Sequence, residues 1–143
     1  ITEPKDSIVT ALPYVTASEH IGRESLGGVF VKASLDLTHP LGFGYTRSEL
    51  PFYKNNTVWL APSKNPYTTV AKYTENAHVD GYISEKNKRE FLGKSASVLV
   101  SKIGSGRVVL FADNPNFRGT TYGMNRMFLN ALFLGQHISI PNP

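Results

Sequence analysis

The side chains able to do chemistry in this 143-residue chain are few, and most stand at the wrong spacing. There is no cysteine, which excludes a thiolate nucleophile, a disulfide and a Cys-ligated zinc on these residues. The histidines are His20, His39, His78 and His137, and none begins a His-x-x-Glu pair; the third position after His20 is Arg23. His20 and Glu24 are one helical turn apart, a spacing better explained by a surface pair than by a metal site. A nucleophile elbow of the G-x-S-x-G kind is absent. Gly93-Lys94-Ser95 has the tail of a phosphate-binding loop, but Lys88 stands where its first glycine is required. Gly42-Phe43-Gly44 has two glycines of a dinucleotide fingerprint, with Arg47 in place of the third, so it reads as a turn.

Two polar groups survive this screen. Asp113, Asn114, Asn116 and Arg118 follow an apolar run and precede a helical pattern, the position where open α/β sheets place ligands and anions. Asp36 and His39 stand at the end of another strand pattern, where Asp36 could orient the imidazole. For both groups a turn-forming role outweighs a ligand site, because Asp and Asn shape turns and Pro40 stiffens the chain after His39. Arg118 is expected to be partly buried and paired either with an acidic residue, for which Asp36 and Asp113 are the candidates, or with backbone carbonyls.

The elements that must position these residues follow from periodicity. Ser95 to Ile103 alternates as a half-buried strand, Gly104-Ser105-Gly106 permits an immediate reversal, and Val108 to Ala112 is apolar throughout, as in a strand covered on both faces. From about Thr121 the period becomes helical: Met124, Met127, Phe128, Ala131 and Leu132 share one face. Leu129, Phe133 and Leu134 make the other side apolar too, which predicts a deeply packed helix ending at Gly135. Earlier strands are expected at Gly28–Leu37, Glu49–Tyr53, Thr57–Ala61 and Thr69–Tyr73, with a helix from Ser84 to Leu92 capped by Ser84 and closed by Gly93. Residues 1–27 read as an irregular arm or connection, with short helical stretches from Asp6 to Leu12 and from Ser18 to Ser25; residues 28–143 form an α/β domain.

Length allows one domain, burying roughly two thirds of its unfolded surface. Without an initiating Met or a leader, the chain reads as a processed product or a piece of a longer one. No apolar run reaches the ~18 residues that span a bilayer, so membrane insertion is not expected. Between Lys86 and Arg126, eight basic residues face two acidic ones, a local +6 within a net +4. They are dispersed over different elements without interleaved aromatics, which argues for a solvated basic surface and against nucleic-acid binding.

One stretch is more particular than any generic α/β ending. Gly106-Arg-Val-Val-Leu-Phe-Ala-Asp-Asn-Pro-Asn-Phe-Arg-Gly119, with Tyr122-Gly123 and Asn125-Arg-Met-Phe-Leu-Asn-Ala131, resembles the C-terminal class I glutamine-amidotransferase-like domain of Bacteroidetes M14-type zinc carboxypeptidases. Gly28 to Tyr45, Leu50-Pro-Phe-Tyr-Lys54 and Gly81-Tyr-Ile-Ser84 extend the likeness over most of the chain, whereas Ala77–Asp80 and Thr120-Thr121 depart from it. The resemblance implies a flavodoxin-like sheet with flanking helices, of which this chain holds the later part. It also implies an exported, periplasmic or extracellular parent whose zinc ligands lie in an upstream peptidase domain of the same polypeptide. No catalytic, cofactor or metal residue is then expected here. The implied role is that of a non-catalytic accessory domain that stabilises or docks the catalytic domain. The alternative is a small-molecule or glycan-binding module that uses Asp113, Asn116, Arg118, Asp36 and His39 at the strand ends.

Overall fold

A computed structural model describes residues 13–141; the expected helix from Asp6 to Leu12 lies outside the described residues. The fold is mixed α/β. Five strands, β1 (Leu26–Leu35), β2 (Glu49–Lys54), β3 (Thr69–Ile83), β4 (Ala96–Ile103) and β5 (Gly106–Phe111), form one sheet in the order β2-β1-β3-β4-β5. Helices α1 (Ala17–Glu24), α2 (Glu85–Glu90) and α3 (Tyr122–Leu134) complete it.

Every neighbouring pair of strands is antiparallel, whereas a flavodoxin-like sheet is normally parallel. The local reason lies in the connections. Parallel neighbours need a long crossover, usually a helix, but β4 and β5 are joined by a tight turn with Gly104 at φ 59°. The link from β1 to β2 holds only the 3-10 turn Pro40–Gly42.

The alternation in β1 does what its residue types require. Val29, Val31, Ala33 and Leu35 are all buried, and register sets Lys54, Phe52 and Leu50 of β2 opposite Val29, Val31 and Ala33. Tyr73 of β3 also lies opposite Ala33, and Val98 of β4 faces Phe111 of β5. Met124 and Met127 of α3 join this core, and Phe128 packs on Phe111 at 6.5 Å between ring centroids.

Several expectations need correction. The Thr57–Ala61 stretch is not a strand and makes only the bridge Leu60–Ala96, while β3 continues well beyond Tyr73 to Ile83. That continuation requires Gly81 at φ 91°, where an added Cβ would fall 2.4 Å from the Gly28 carbonyl oxygen. Strand β5 is a sheet edge with Val108 and Leu110 exposed, so its unbroken apolar run is not covered on both faces. Helix α3 is packed on one face only, and that face is narrower than expected: Leu132, expected beside Met124 and Met127, is 64% exposed, and Leu129 and Phe133 are 48% and 71% exposed. Gly135 does not stop it in a left-handed cap, because its φ is −53° and the chain tightens into a 3-10 turn.

The other helices follow their caps. Ser84 Oγ accepts from the Asn87 amide at 3.2 Å at the start of α2, and Gly93 takes φ 86° beyond its end. Asn87 Nδ2 donates to the Glu24 carbonyl at 3.0 Å and Lys86 pairs with the Glu24 carboxylate at 3.0 Å, which seats α1 on α2.

Candidate functional site

The loop that follows β5 begins inside the protein. Asp113 is directed inward because Ala112 still follows the ladder, its amide donating to the Ser97 carbonyl at 2.8 Å. The Asp113 carboxylate meets Lys54, whose place in the β2 alternation puts it on the same buried face as Leu50 and Phe52. The two charges are 3.1 Å apart, and their side chains are 0% and 2% exposed. All three ammonium protons have acceptors: Asp113 Oδ1, Asn56 Oδ1 at 3.2 Å and the Val58 carbonyl at 2.7 Å. The other carboxylate oxygen accepts from Tyr73 Oη at 2.6 Å and Ser97 Oγ at 2.9 Å. Asn56 closes the ring by donating to the Ala112 carbonyl at 2.9 Å.

Aromatic rings seal this cluster. Lys54 Nζ lies 4.4 Å from the Trp59 ring centroid, and Trp59 in turn stacks on Phe91 at 5.6 Å. Burial holds the Lys54 ammonium below its ordinary pKa, while the Asp113 charge and hydrogen bond pull it back up. Burial, reinforced by the neighbouring Asp113 charge, pushes the Tyr73 phenol well above its usual value. The lysine has an acceptor for each of its three protons, and the carboxylate, with three donors around it, is tied into the interior. The cluster therefore clamps β2, β3, β4 and the loop after β5 together. Asp113 belongs to this clamp and not to an exposed rim.

The same loop then rises to the surface. Asn114 Oδ1 accepts from the Asn116 amide at 2.9 Å, making a turn, and the exposed Asn116 side chain caps nothing in the 3-10 turn Phe117–Gly119. Arg118 is exposed and makes no ion pair among the described residues, so its expected burial against Asp36 or Asp113 does not occur. Each carboxylate already has a nearer donor: Lys54 holds Asp113, and Thr38 holds Asp36. The Arg118 guanidinium instead sits 5.4 Å over the ring centroid of Phe117.

Asp36 and His39 shape a turn. Asp36 Oδ1 accepts from the Thr38 amide at 2.9 Å and hydroxyl at 2.6 Å, and this hydrogen bonding lowers its pKa. His39 Nδ1 accepts from the Leu41 amide at 3.1 Å, capping the 3-10 turn, and burial lowers its pKa. Nothing brings these two residues to the Asp113–Gly119 loop. The turn is fastened instead to α3: Asn130 Nδ2 donates to the Leu41 and Phe43 carbonyls at 3.0 and 2.9 Å, Tyr45 Oη donates to the Gly123 carbonyl, and Arg126 donates to the Gly44 carbonyl.

The structure's organising polar residues, Lys54, Asn56, Tyr73, Ser97 and Asn130, were not singled out by motif reasoning. A signal for two of them was present. Lys54 continues the Leu50, Phe52 alternation and Tyr73 lies two residues after Ala71, so both are in phase with the core. Two surface cavities lie elsewhere, one of about 170 Å³ lined by Glu75, His78, Lys88 and Leu92 among others, the other of about 350 Å³ between Ser63, Asn65, Leu99 and Ile140. Among the described residues no three His, Asp or Glu side chains converge to hold a metal, and no helix is long and apolar enough to cross a membrane. No family model, curated protein or solved structure matches the chain.

Proposed function

We propose that the chain is a non-catalytic accessory domain of an exported zinc metallocarboxypeptidase and that it docks on the catalytic peptidase domain of the same polypeptide through α3. The observation that carries this reading is the outer face of α3. Tyr122, Leu129, Leu132 and Phe133 are all exposed there, while Met124, Met127 and Asn130 on the other face fasten the helix to the domain. Such a row of large apolar side chains fits a protein surface better than water. The sealed clamp supports the same reading, since the charges of the distinctive Gly106–Gly119 block are divided between architecture and an exposed arginine.

The finer fold assignment belongs to this proposal. In it, the antiparallel sheet is the later part of a larger flavodoxin-like, amidotransferase-like sheet, and one of the two edges, β2 or β5, continues into it. Supporting this is the likeness of the Gly106–Ala131 block, which falls on β5, the loop after it and α3.

Two measurements test the function. The isolated chain is assayed on peptide substrates with added zinc, and turnover above background would sink the proposal. The catalytic domain is then added in trans to wild type and to the Leu132→Glu, Phe133→Glu double variant. Docking should weaken at least tenfold in the variant at unchanged melting temperature; equal docking would remove α3 from the interface.

A further inference from the structure

Arg118 is the one non-glycine residue among those described with a left-handed backbone, at φ 47° and ψ 21°. Side chains rarely adopt this conformation, and such outliers persist where the surroundings enforce them, often at recognition sites. Here the preceding residue is anchored. Phe117 stacks on Tyr53 with centroids 4.4 Å apart and planes 24° from parallel, and Tyr53 leans on Phe30 at 5.2 Å. Tyr53 needs the bare backbone of Gly28, where an added Cβ would stand 2.5 Å from its hydroxyl oxygen. The loop's other end is locked by the buried Lys54–Asp113 pair. Arg118 is thus a cation presented on a rigid post, ordered over an aromatic face and without an ionic partner among the described residues.

We infer that Arg118 is a carboxylate-recognition residue whose guanidinium receives an aspartate or glutamate side chain of the docked domain. This rests on the accessory-domain reading. A planar guanidinium ordered in advance loses little freedom on binding and offers two parallel N–H donors, the fork a carboxylate accepts. The charge count selects one carboxylate over a polyanion. From Ala112 to Thr121 the charged residues are Asp113, already neutralised by Lys54, and Arg118 itself, a single net positive charge. A nucleic acid or a highly phosphorylated ligand would call for several cations along one face.

The test uses the chain alone, so it does not depend on the catalytic domain. N-acetylglutamate α-amide, which carries a single side-chain carboxylate, is titrated while the arginine Nε–H resonances are followed by NMR. Arg23, exposed and outside any aromatic stack, is the internal comparison. Arg118 is expected to respond with at least about threefold higher affinity than Arg23, a difference under 1 kcal/mol, and Phe117→Leu should erase that preference. Arg118→Gly, which relieves the left-handed backbone, should remove the response without lowering the melting temperature. An equal response at Arg118 and Arg23 would overturn the inference. So would a fall of more than about 4 °C in Arg118→Gly, because it would assign the residue a structural task. If the accessory-domain reading alone fails, turnover by the isolated chain reveals it while these NMR results stand unchanged.

Discussion

Asp113 and Arg118 share one short loop and have opposite fates. Asp113 is buried with its carboxylate held by Lys54, Tyr73 and Ser97; Arg118 is exposed, backed only by an aromatic ring. The difference comes from what each can find within reach. The buried phase of β2 delivers an ammonium to Asp113, and once that pair forms, no acidic residue is left on the loop for Arg118. Burying a charge is tolerable only with such complete pairing, whereas a guanidinium on the surface needs no partner to persist. Proximity in sequence to a buried acid therefore says little about the neighbouring base.

The sharpest way to break this contrast is to leave one buried charge alone. Asp113→Ala should cost about 3–5 kcal/mol in chemical denaturation, because it strands the Lys54 ammonium and two donors. Lys54→Met combined with Asp113→Leu should be less damaging than the sum of the two single changes, since the desolvation cost disappears with both charges. Equal additivity would mean the two groups do not act as a unit.

Next in size, Tyr73→Phe should cost about 1.5–3 kcal/mol by removing a hydrogen bond to a charged acceptor. It should also change the alkaline limb of the stability curve. The folded phenol has a raised pKa, so above pH ~10 the unfolded chain ionises while the folded one stays protonated, and stability falls as pH rises. Urea midpoints between neutral pH and pH 11 should therefore decline less steeply in the variant than in the wild type.

Asn130→Ala, which leaves the Leu41 and Phe43 carbonyls without their donor, should cost about 1–3 kcal/mol and loosen the turn from α3. Hydrogen exchange should quicken around Gly42–Tyr45. Asp36→Ala should cost only about 0.5–1.5 kcal/mol, since its hydrogen bonds to Thr38 are exposed. With its pKa lowered, its contribution is present above the normal carboxylate range and is lost as pH falls below it, which thermal melts between pH 2 and 5 in both proteins can follow. Smallest of all, Arg118→Ala should stay within about 0.5 kcal/mol of wild type. A loss as large as that of Asp36→Ala would erase the contrast between the two ends of the loop.

What the sequence determined on its own was local. The alternation of Val29, Val31, Ala33 and Leu35 was enough for β1, because one-sided burial imposes a period of two. The glycines at 104 and 106 announced the hairpin, Ser84 the start of α2, and Met124 with Met127 the buried face of α3. Asp36 and His39 were legible as turn formers because their partners lie only two residues away. Tertiary structure decided what depends on distant partners. Whether Asp113 faces a ligand or a lysine turns on Lys54, 59 residues earlier in the chain. Outside the β4–β5 hairpin, the direction of the strand pairings depends on connections that periodicity does not encode. The apolar outer side of α3 shows the same limit, because residue type fixes a preference for burial but not the surface that provides it. Leu129, Leu132 and Phe133 are as hydrophobic as any core residue, and within the described fold they stay largely open to solvent.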